Sequence, residues 1–226
     1  MIEFLFLDLD DTILDFQKAE RLALAKTLES FGLPPTDTVL ARYHEINREH
    51  WERLERKELT RQQVLVGRFA ALFAEMGLSA QAEQVARAYE ENLSQGHYFL
   101  PGAEEALKSL SKKYKLYLAS NGTARVQAGR LKSAGIIPYF QEIFVSEEMG
   151  YNKPDPAYFD ACFARIPGFR KDRAMMVGDS LTSDILGGIQ AGIATCWVNP
   201  HHKTGSIHPD FEIESITQLE ALLKNL

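Results

Sequence analysis

No run of about 18 consecutive apolar residues occurs in this chain, so the sequence predicts no membrane-spanning helix. Basic residues are in the minority: 25 Lys and Arg stand against 31 Asp and Glu, for a formal net charge of -6. A nucleic-acid polymer needs a basic face to neutralise its phosphates, and this balance argues against one as a partner. Cysteine is scarce. Cys162 and Cys196 each sit among apolar residues, which fits reduced thiols packed in a core and excludes a disulfide scaffold. Internal repeats and low-complexity segments are absent. The first residues show no basic stretch, no apolar segment of secretory type and no small-residue cleavage site. These absences together predict a cytoplasmic protein that spans no membrane and binds no nucleic-acid polymer. The chain has 226 residues, 45% of them hydrophobic, enough for one large domain or one domain carrying an insert.

Two patterns divide the sequence. From about Asp15 to Tyr98 it reads as helix throughout. The clearest helix runs from Thr60 to Met76, with Leu65, Phe69, Leu72, Phe73 and Met76 on one face. Thr60 and Gln63 have capping-box spacing, and Gly77 supplies a stop. Further helices are predicted near Asp15–Phe31, Asp37–Lys57 and Gln81–Ser94, with Pro34-Pro35 separating the first two. From Pro101-Gly102 onward, short β-rich runs alternate with helical ones. The runs are Lys115–Ala119, Glu142–Val145, Ala174–Val177, Ala194–Val198 and Phe211–Ile213. Such alternation predicts a parallel sheet with helices on both faces. The segment Phe4–Leu9 is almost wholly apolar, as a strand buried on both faces requires, and fits the centre of that sheet. The predicted fold is α/β: a Rossmann-like parallel-sheet core formed by residues 1–14 and 99–226, with an all-helical module, residues 15–98, inserted after the first strand.

The first strand runs straight into Asp8, Asp10 and Asp11. Carboxylates are rarely buried unless paired or metal-bound. In open α/β sheets, ligands bind beyond the carboxyl ends of the strands. Asp8 and Asp10 occupy such an end, as do Ser120 and Asn121 after "KLYLA" and Asp179 after "AMMVG", with Asp184 one turn further on. Lys153 lies in the loop after a third strand. Residues distant in sequence are thus predicted to converge on one sheet edge. Clustered carboxylates repel unless a cation holds them. A hard, oxygen-preferring ion such as Mg²⁺ fits the set, because it takes a few carboxylates and keeps positions for waters and phosphate. No histidine or cysteine is placed to favour zinc.

The motifs "DLDDT" (Asp8–Thr12), "SNG" (Ser120–Gly122), "KPD" (Lys153–Asp155) and "GDSLTSD" (Gly178–Asp184) resemble, in this order, those of the haloacid dehalogenase superfamily. The resemblance covers the whole chain, with the helical insert where that superfamily carries an all-helical, C1-type cap. The stretch "GGIQAGIATCWVNPHH" (Gly187–His202) is similar to bacterial pyrimidine 5′-nucleotidases and house-cleaning nucleotide phosphatases. The resemblance implies that Asp8 attacks phosphorus, forming an aspartyl-phosphate. It implies that Asp10 protonates the leaving alcohol and then activates water. It implies Mg²⁺, with Mn²⁺ as a substitute, held by Asp8, the backbone carbonyl of Asp10, Asp179 and, through water, Asp184. Thr12, Ser120, Asn121 and Lys153 would bind the phosphoryl oxygens, and Lys153 would offset charge in the transition state. Superfamily members that attack carbon–halogen bonds lack an acid at the position of Asp10, so its presence points to phosphoesters. Asp11 is expected only to brace the turn. The cap would choose the substrate, a small phosphorylated metabolite of nucleotide type, through Asn47, Trp51, Arg61, Arg68 and Tyr98. Trp51 or Tyr98 could stack on a base, although packing inside the cap is the commoner fate of a Trp. The alternatives on the same core are a sugar-phosphate phosphatase, a phosphomutase, and a non-catalytic binding protein.

Overall fold

The computed structural model describes residues 1–226. Six strands form one sheet: β1 (Phe4–Leu7), β2 (Lys115–Ser120), β3 (Glu142–Val145), β4 (Ala174–Gly178), β5 (Ala194–Val198) and β6 (Phe211–Ile213). Their spatial order is β3-β2-β1-β4-β5-β6, and every pairing is parallel. β1 therefore lies inside the sheet, with Leu7 level with Leu118 on one side and Val177 on the other. All four of its residues are buried, which is why it carries no polar alternation.

The sheet separates two apolar layers. Leu5 and Leu7 join the larger, with Leu116, Leu118, Met175, Val177 and Cys196. Phe4 and Phe6 face the other, where Phe6 stacks on Tyr117 with ring centroids 5.3 Å apart and meets Phe163 edge-on. Side chains two apart along β1 thus feed the same layer, as the period of a strand dictates. Each fully buried side chain of this size contributes about 1.5–3 kcal/mol, so the central strand is firmly held. Both cysteines are free and buried.

Four helices, α1 (Phe16–Ser30), α2 (Asp37–Glu55), α3 (Arg61–Met76) and α4 (Ala82–Leu93), lie between β1 and β2. They share a hydrophobic cluster of their own, built on Leu24, Leu28, Tyr43, Phe69, Leu72, Val85 and Tyr89. The capping box at Thr60 and Gln63 is formed, and Gly77 closes α3 at a φ of +63°. The two connections to the sheet run side by side: the Asp15 amide donates to the Tyr98 carbonyl at 2.7 Å, and Leu14 bridges Phe99. The remaining helices are α5 (Ala103–Leu110), α6 (Ala124–Ala134), α7 (Ser146–Met149), α8 (Pro156–Ala164), α9 (Leu186–Ala191) and α10 (Leu219–Leu223). Before α9 the chain makes a π-helical turn, Leu181–Ile185, where the sequence predicts an ordinary helix from Asp184. Such turns occur often at functional sites.

Candidate active site

Parallel strands end on a common edge, and here that edge gathers the motifs. The Asp8 amide continues the ladder, donating to the Val177 carbonyl at 2.9 Å, so its side chain emerges at the end of β1. Lys153 is almost wholly buried. Its Nζ donates to Asp8 Oδ1 at 2.7 Å, to Asp184 Oδ1 at 2.6 Å and to the Ala119 carbonyl at 2.6 Å. All three ammonium protons are therefore used. Asn121 fixes the backbone of Lys153 from both sides, accepting from its amide at 2.8 Å and donating to its carbonyl at 2.9 Å. Asp184 Oδ2 accepts from the Ser180 amide at 3.1 Å. A Cβ at Gly178 would stand 2.2 Å from that same oxygen, so glycine here is the condition for Asp184 to lie against the end of β4.

Asp8, Asp179 and Asp184 each offer one carboxylate oxygen, and the three oxygens lie within 4.8 Å of one another. Oxygen donors at Mg²⁺ sit about 2.1 Å from the ion, so an all-oxygen set of this span suits such a cation, with water completing the shell. Burial is the largest influence on Asp8 and pushes its carboxyl up, to about 8; Asp184 and Asp10 add to the rise and Lys153 opposes it. Burial and the charges of Asp184 and Asp8 push Asp179 well above the usual carboxylate range. Its neighbours Asp184 and Asp8 hold Lys153 in its charged form against the cost of burial.

Asp10 is not in this group of three. Its carboxylate turns to α6, where Oδ1 pairs with Arg130 Nη1 and Oδ2 accepts from Gln127 Nε2 at 2.8 Å. Arg130 is fully buried, and its Nε also donates to the Gly96 carbonyl at 2.9 Å. Gln127 reaches Ser120 Oγ at 2.9 Å, which ties Asp10 to the "SNG" loop. Gly122 has no room for a Cβ, which would meet Gln127 Nε2 at 2.5 Å. Asp11 has a φ of +55°, and its Oδ1 accepts from the Phe16 amide at 2.9 Å, the turn-bracing role expected of it.

A cavity of about 210 Å³ opens beside these groups. Asp8, Asp10, Ser120, Asn121, Lys153, Asp179 and Asp184 line its floor, and Trp51, Glu55, Arg68, Glu90 and Leu93 close it from the helical layer. Trp51 and Arg68 thus lie where the sequence places substrate contacts. Four other expected residues, Thr12, Asn47, Tyr98 and Arg61, do not line it. Thr12 is fully buried with its hydroxyl unpartnered, because the turn at Asp11 carries it into the core. Asn47 is buried behind Arg68, donating to Glu20 Oε1 at 2.6 Å and accepting from Arg68 Nη1 at 2.7 Å, so it can only act through Arg68. Tyr98 lies on the return connection, beside His97 and beneath Lys18 Nζ. Arg61 takes a part that a substrate contact would not. It donates to the carbonyls of Asn121 and Gly122 at 3.0 Å each, to Ser146 Oγ at 2.6 Å and to Asn152 Oδ1 at 2.8 Å, fastening α3 to the core. Lys57 with Asp155 at 2.7 Å and Thr182 with Glu55 at 3.0 Å add to this fastening.

Gln127, Arg130, Glu55 and Glu90 are absent from the sequence reading. On α6, Gln127 and Arg130 are spaced i, i+3 just after "SNG", so one helix face had to meet the loop. That spacing was the available signal. Their partner Asp10, more than 110 residues earlier, gave none.

A model of haloacid dehalogenase-like hydrolases matches residues 5–198. The chain is 38% identical to pyrimidine 5′-nucleotidase PynA of Streptococcus pneumoniae, covering 99% of this chain and 96% of that protein. It is 31% identical to pyrimidine 5′-nucleotidase YjjG of Escherichia coli, over 98% and 97% of the two chains. Among solved structures, the magnesium-bound crystal structure of the HAD-hydrolase YfnB from Bacillus subtilis superposes with a TM-score of 0.94 at 40% identity, covering 99% of both chains.

Proposed function

The chain belongs to the haloacid dehalogenase-like hydrolases, and within that family we propose that it is a Mg²⁺-dependent phosphomonoesterase that cleaves pyrimidine nucleoside 5′-monophosphates through an aspartyl-phosphate. The observation that carries this reading is Asp10. A carboxyl group that borders the cavity two residues after the Asp8 carboxylate has a use when an alkoxide leaves and none when a halide leaves. Sequence likeness to the two pyrimidine nucleotidases supports the substrate class.

An Asp8 oxygen attacks phosphorus, and the P–O bond to the nucleoside breaks as Asp10 gives its proton to the leaving oxygen. Asp10 then takes a proton from water, whose oxygen attacks the same phosphorus. Orthophosphate departs and Asp8 is restored. In this structure Arg130 and Gln127 occupy both oxygens of Asp10, so the acid step requires Asp10 to turn from Arg130 toward the leaving oxygen. Lys153 places positive charge beside the attacking oxygen, and Ser120 and Asn121 face the transferring group. Asp8, Asp179, Asp184 and the Asp10 carbonyl would hold the Mg²⁺ or Mn²⁺ ion. When bound, the ion neutralises the carboxylates and the phosphoryl oxygens. The chain has no helix long and apolar enough to cross a membrane.

Phosphate release tests the reading. The value of kcat/KM for uridine or thymidine monophosphate should exceed that for a hexose phosphate by about tenfold to a hundredfold, the scale of one stacked base. Activity should vanish in chelator and return with Mg²⁺. Equal values for the two substrates would sink the nucleotide assignment, and full activity without metal would sink the mechanism.

Metal binding should also release protons. Asp8 and Asp179 are raised above their ordinary range, so near neutral pH the metal-free cluster keeps protons that a cation must displace. The raised groups deprotonate as pH rises, so Mg²⁺ affinity should climb with pH across the neutral range. Calorimetry in buffers of different ionisation enthalpy measures the release directly. An affinity independent of pH between 6 and 9 would contradict the burial of the site.

A further inference from the structure

The cavity wall formed by the helical layer holds two polar groups that the reaction steps leave unused. Arg68 is 2% exposed and lines the cavity. Nη1 donates to Asn47 and Nε donates to the Leu65 carbonyl at 3.3 Å, while Nη2 makes no hydrogen bond to the protein. No carboxylate pairs with this guanidinium. Its near neighbours are the rings of Tyr43, Phe69 and Tyr89, at 6.0, 5.5 and 5.1 Å, which supply π faces but no full counter-charge. Glu90 lines the same cavity from α4, and its Oε1 is buried without a hydrogen-bond partner. Buried charges are normally paired, and a buried acceptor left unmade is costly. A free donor and a free acceptor on one wall are the complement of a ligand edge that carries a C=O beside an N–H.

We propose that Arg68 and Glu90 read the base: Arg68 donates to a ring carbonyl oxygen and Glu90 accepts the neighbouring ring N–H of a dioxopyrimidine, uracil or thymine. The inference rests on the nucleotidase reading and deepens it. Asn47 is then a positioning residue. It holds Nη1, so that the remaining nitrogen faces the cavity, and it passes the charge of Glu20 to the guanidinium through its amide. Trp51, in the same cavity, offers an aromatic surface for the face of a ring whose edge the pair would take.

The test compares kcat/KM for uridine 5′-monophosphate, its 3-methyl derivative and ribose 5-phosphate, in the wild type and in Glu90→Ala. Methylation replaces the N–H by an N–CH₃, which can neither donate to Glu90 nor sit against its oxygen. The wild type should prefer the unmethylated nucleotide by about tenfold or more, as expected where a buried acceptor loses its donor. Glu90→Ala, which removes the acceptor and opens space for the methyl group, should shrink that preference to about twofold, and should lower the ratio of nucleotide to ribose 5-phosphate by about tenfold. If Glu90 only supports the fold, the variant lowers all three substrates alike and both ratios stand still, which overturns the proposal. A wild type indifferent to the methyl group overturns it as well. Failure of the parent reading looks different: wild-type protein would release phosphate from ribose 5-phosphate as readily as from the nucleotide.

Discussion

Asp8→Asn is expected to abolish phosphate release, with a loss on the order of 10⁴-fold or more, the scale seen when the nucleophile of a covalent mechanism is removed. An amide matches the carboxylate in shape but cannot accept the phosphoryl group. The fold should survive, because Lys153 keeps Asp184 and the Ala119 carbonyl as partners. The thermal midpoint in chelator should therefore stay within a few degrees of the wild type. Substantial turnover in a well-folded Asp8→Asn protein would remove Asp8 from the role of nucleophile. Loss of turnover together with loss of the folded state would leave the role to be tested by trapping the phosphorylated residue in the wild type.

Lys153→Met should damage both stability and rate. The ammonium is the one cation bonded to Asp8 and Asp184, and all three groups are buried. Removing one partner from a buried ion pair costs about 3–5 kcal/mol, an upper figure here because the carboxyls left behind can take up protons. For a chain of this length that is about 10 °C in Tm. The loss should be largest in chelator and smaller in saturating Mg²⁺, because the metal then carries the compensation. Turnover should fall by about 10²–10³-fold even with metal, the scale of losing one preorganised donor at developing charge. Differential scanning calorimetry with and without Mg²⁺, beside steady-state kinetics, measures both. Equal stability of the variant and the wild type in chelator would show that the carboxylates do not depend on Lys153.

Much of this site was legible before any coordinates, and the reason is topological. Ser120, Lys153 and Asp179 are separated by 26 to 59 residues, about 90–210 Å of extended chain, yet each follows a β-rich run, and parallel strands finish on the same side. The rule that ligands sit beyond those ends needs no long-range information. Thr60, Gln63 and Gly77 were legible for a different reason: helix ends are satisfied by residues within one turn, so their chemistry is local. Arg130 and Gln127 were not legible, because a helix face shows its period but not its partner. Asn47 stands behind Arg68 and not in the cavity lining, a difference the sequence cannot show, because an amide that orients an arginine and one that touches a ligand look alike in it. Thr12 is buried away from the cavity lining, next to the left-handed turn at Asp11, which no periodicity reveals.

Arg61 and Arg68 stand seven residues apart on α3, two turns of the same helix face and about 10 Å along its axis. The first is fastened to the carbonyls of Asn121 and Gly122 at the sheet edge; the second lines the cavity. One rigid element therefore carries both a fixed mark and a reading mark, in the manner of a caliper. Sliding α3 by a turn, or inserting whole turns between the two arginines, would change the length of molecule that fits between them without touching any group at the sheet edge. A relative with the same edge and a different spacing on this helix should thus accept a longer or shorter phosphoester, and its preference could be read from a count of residues.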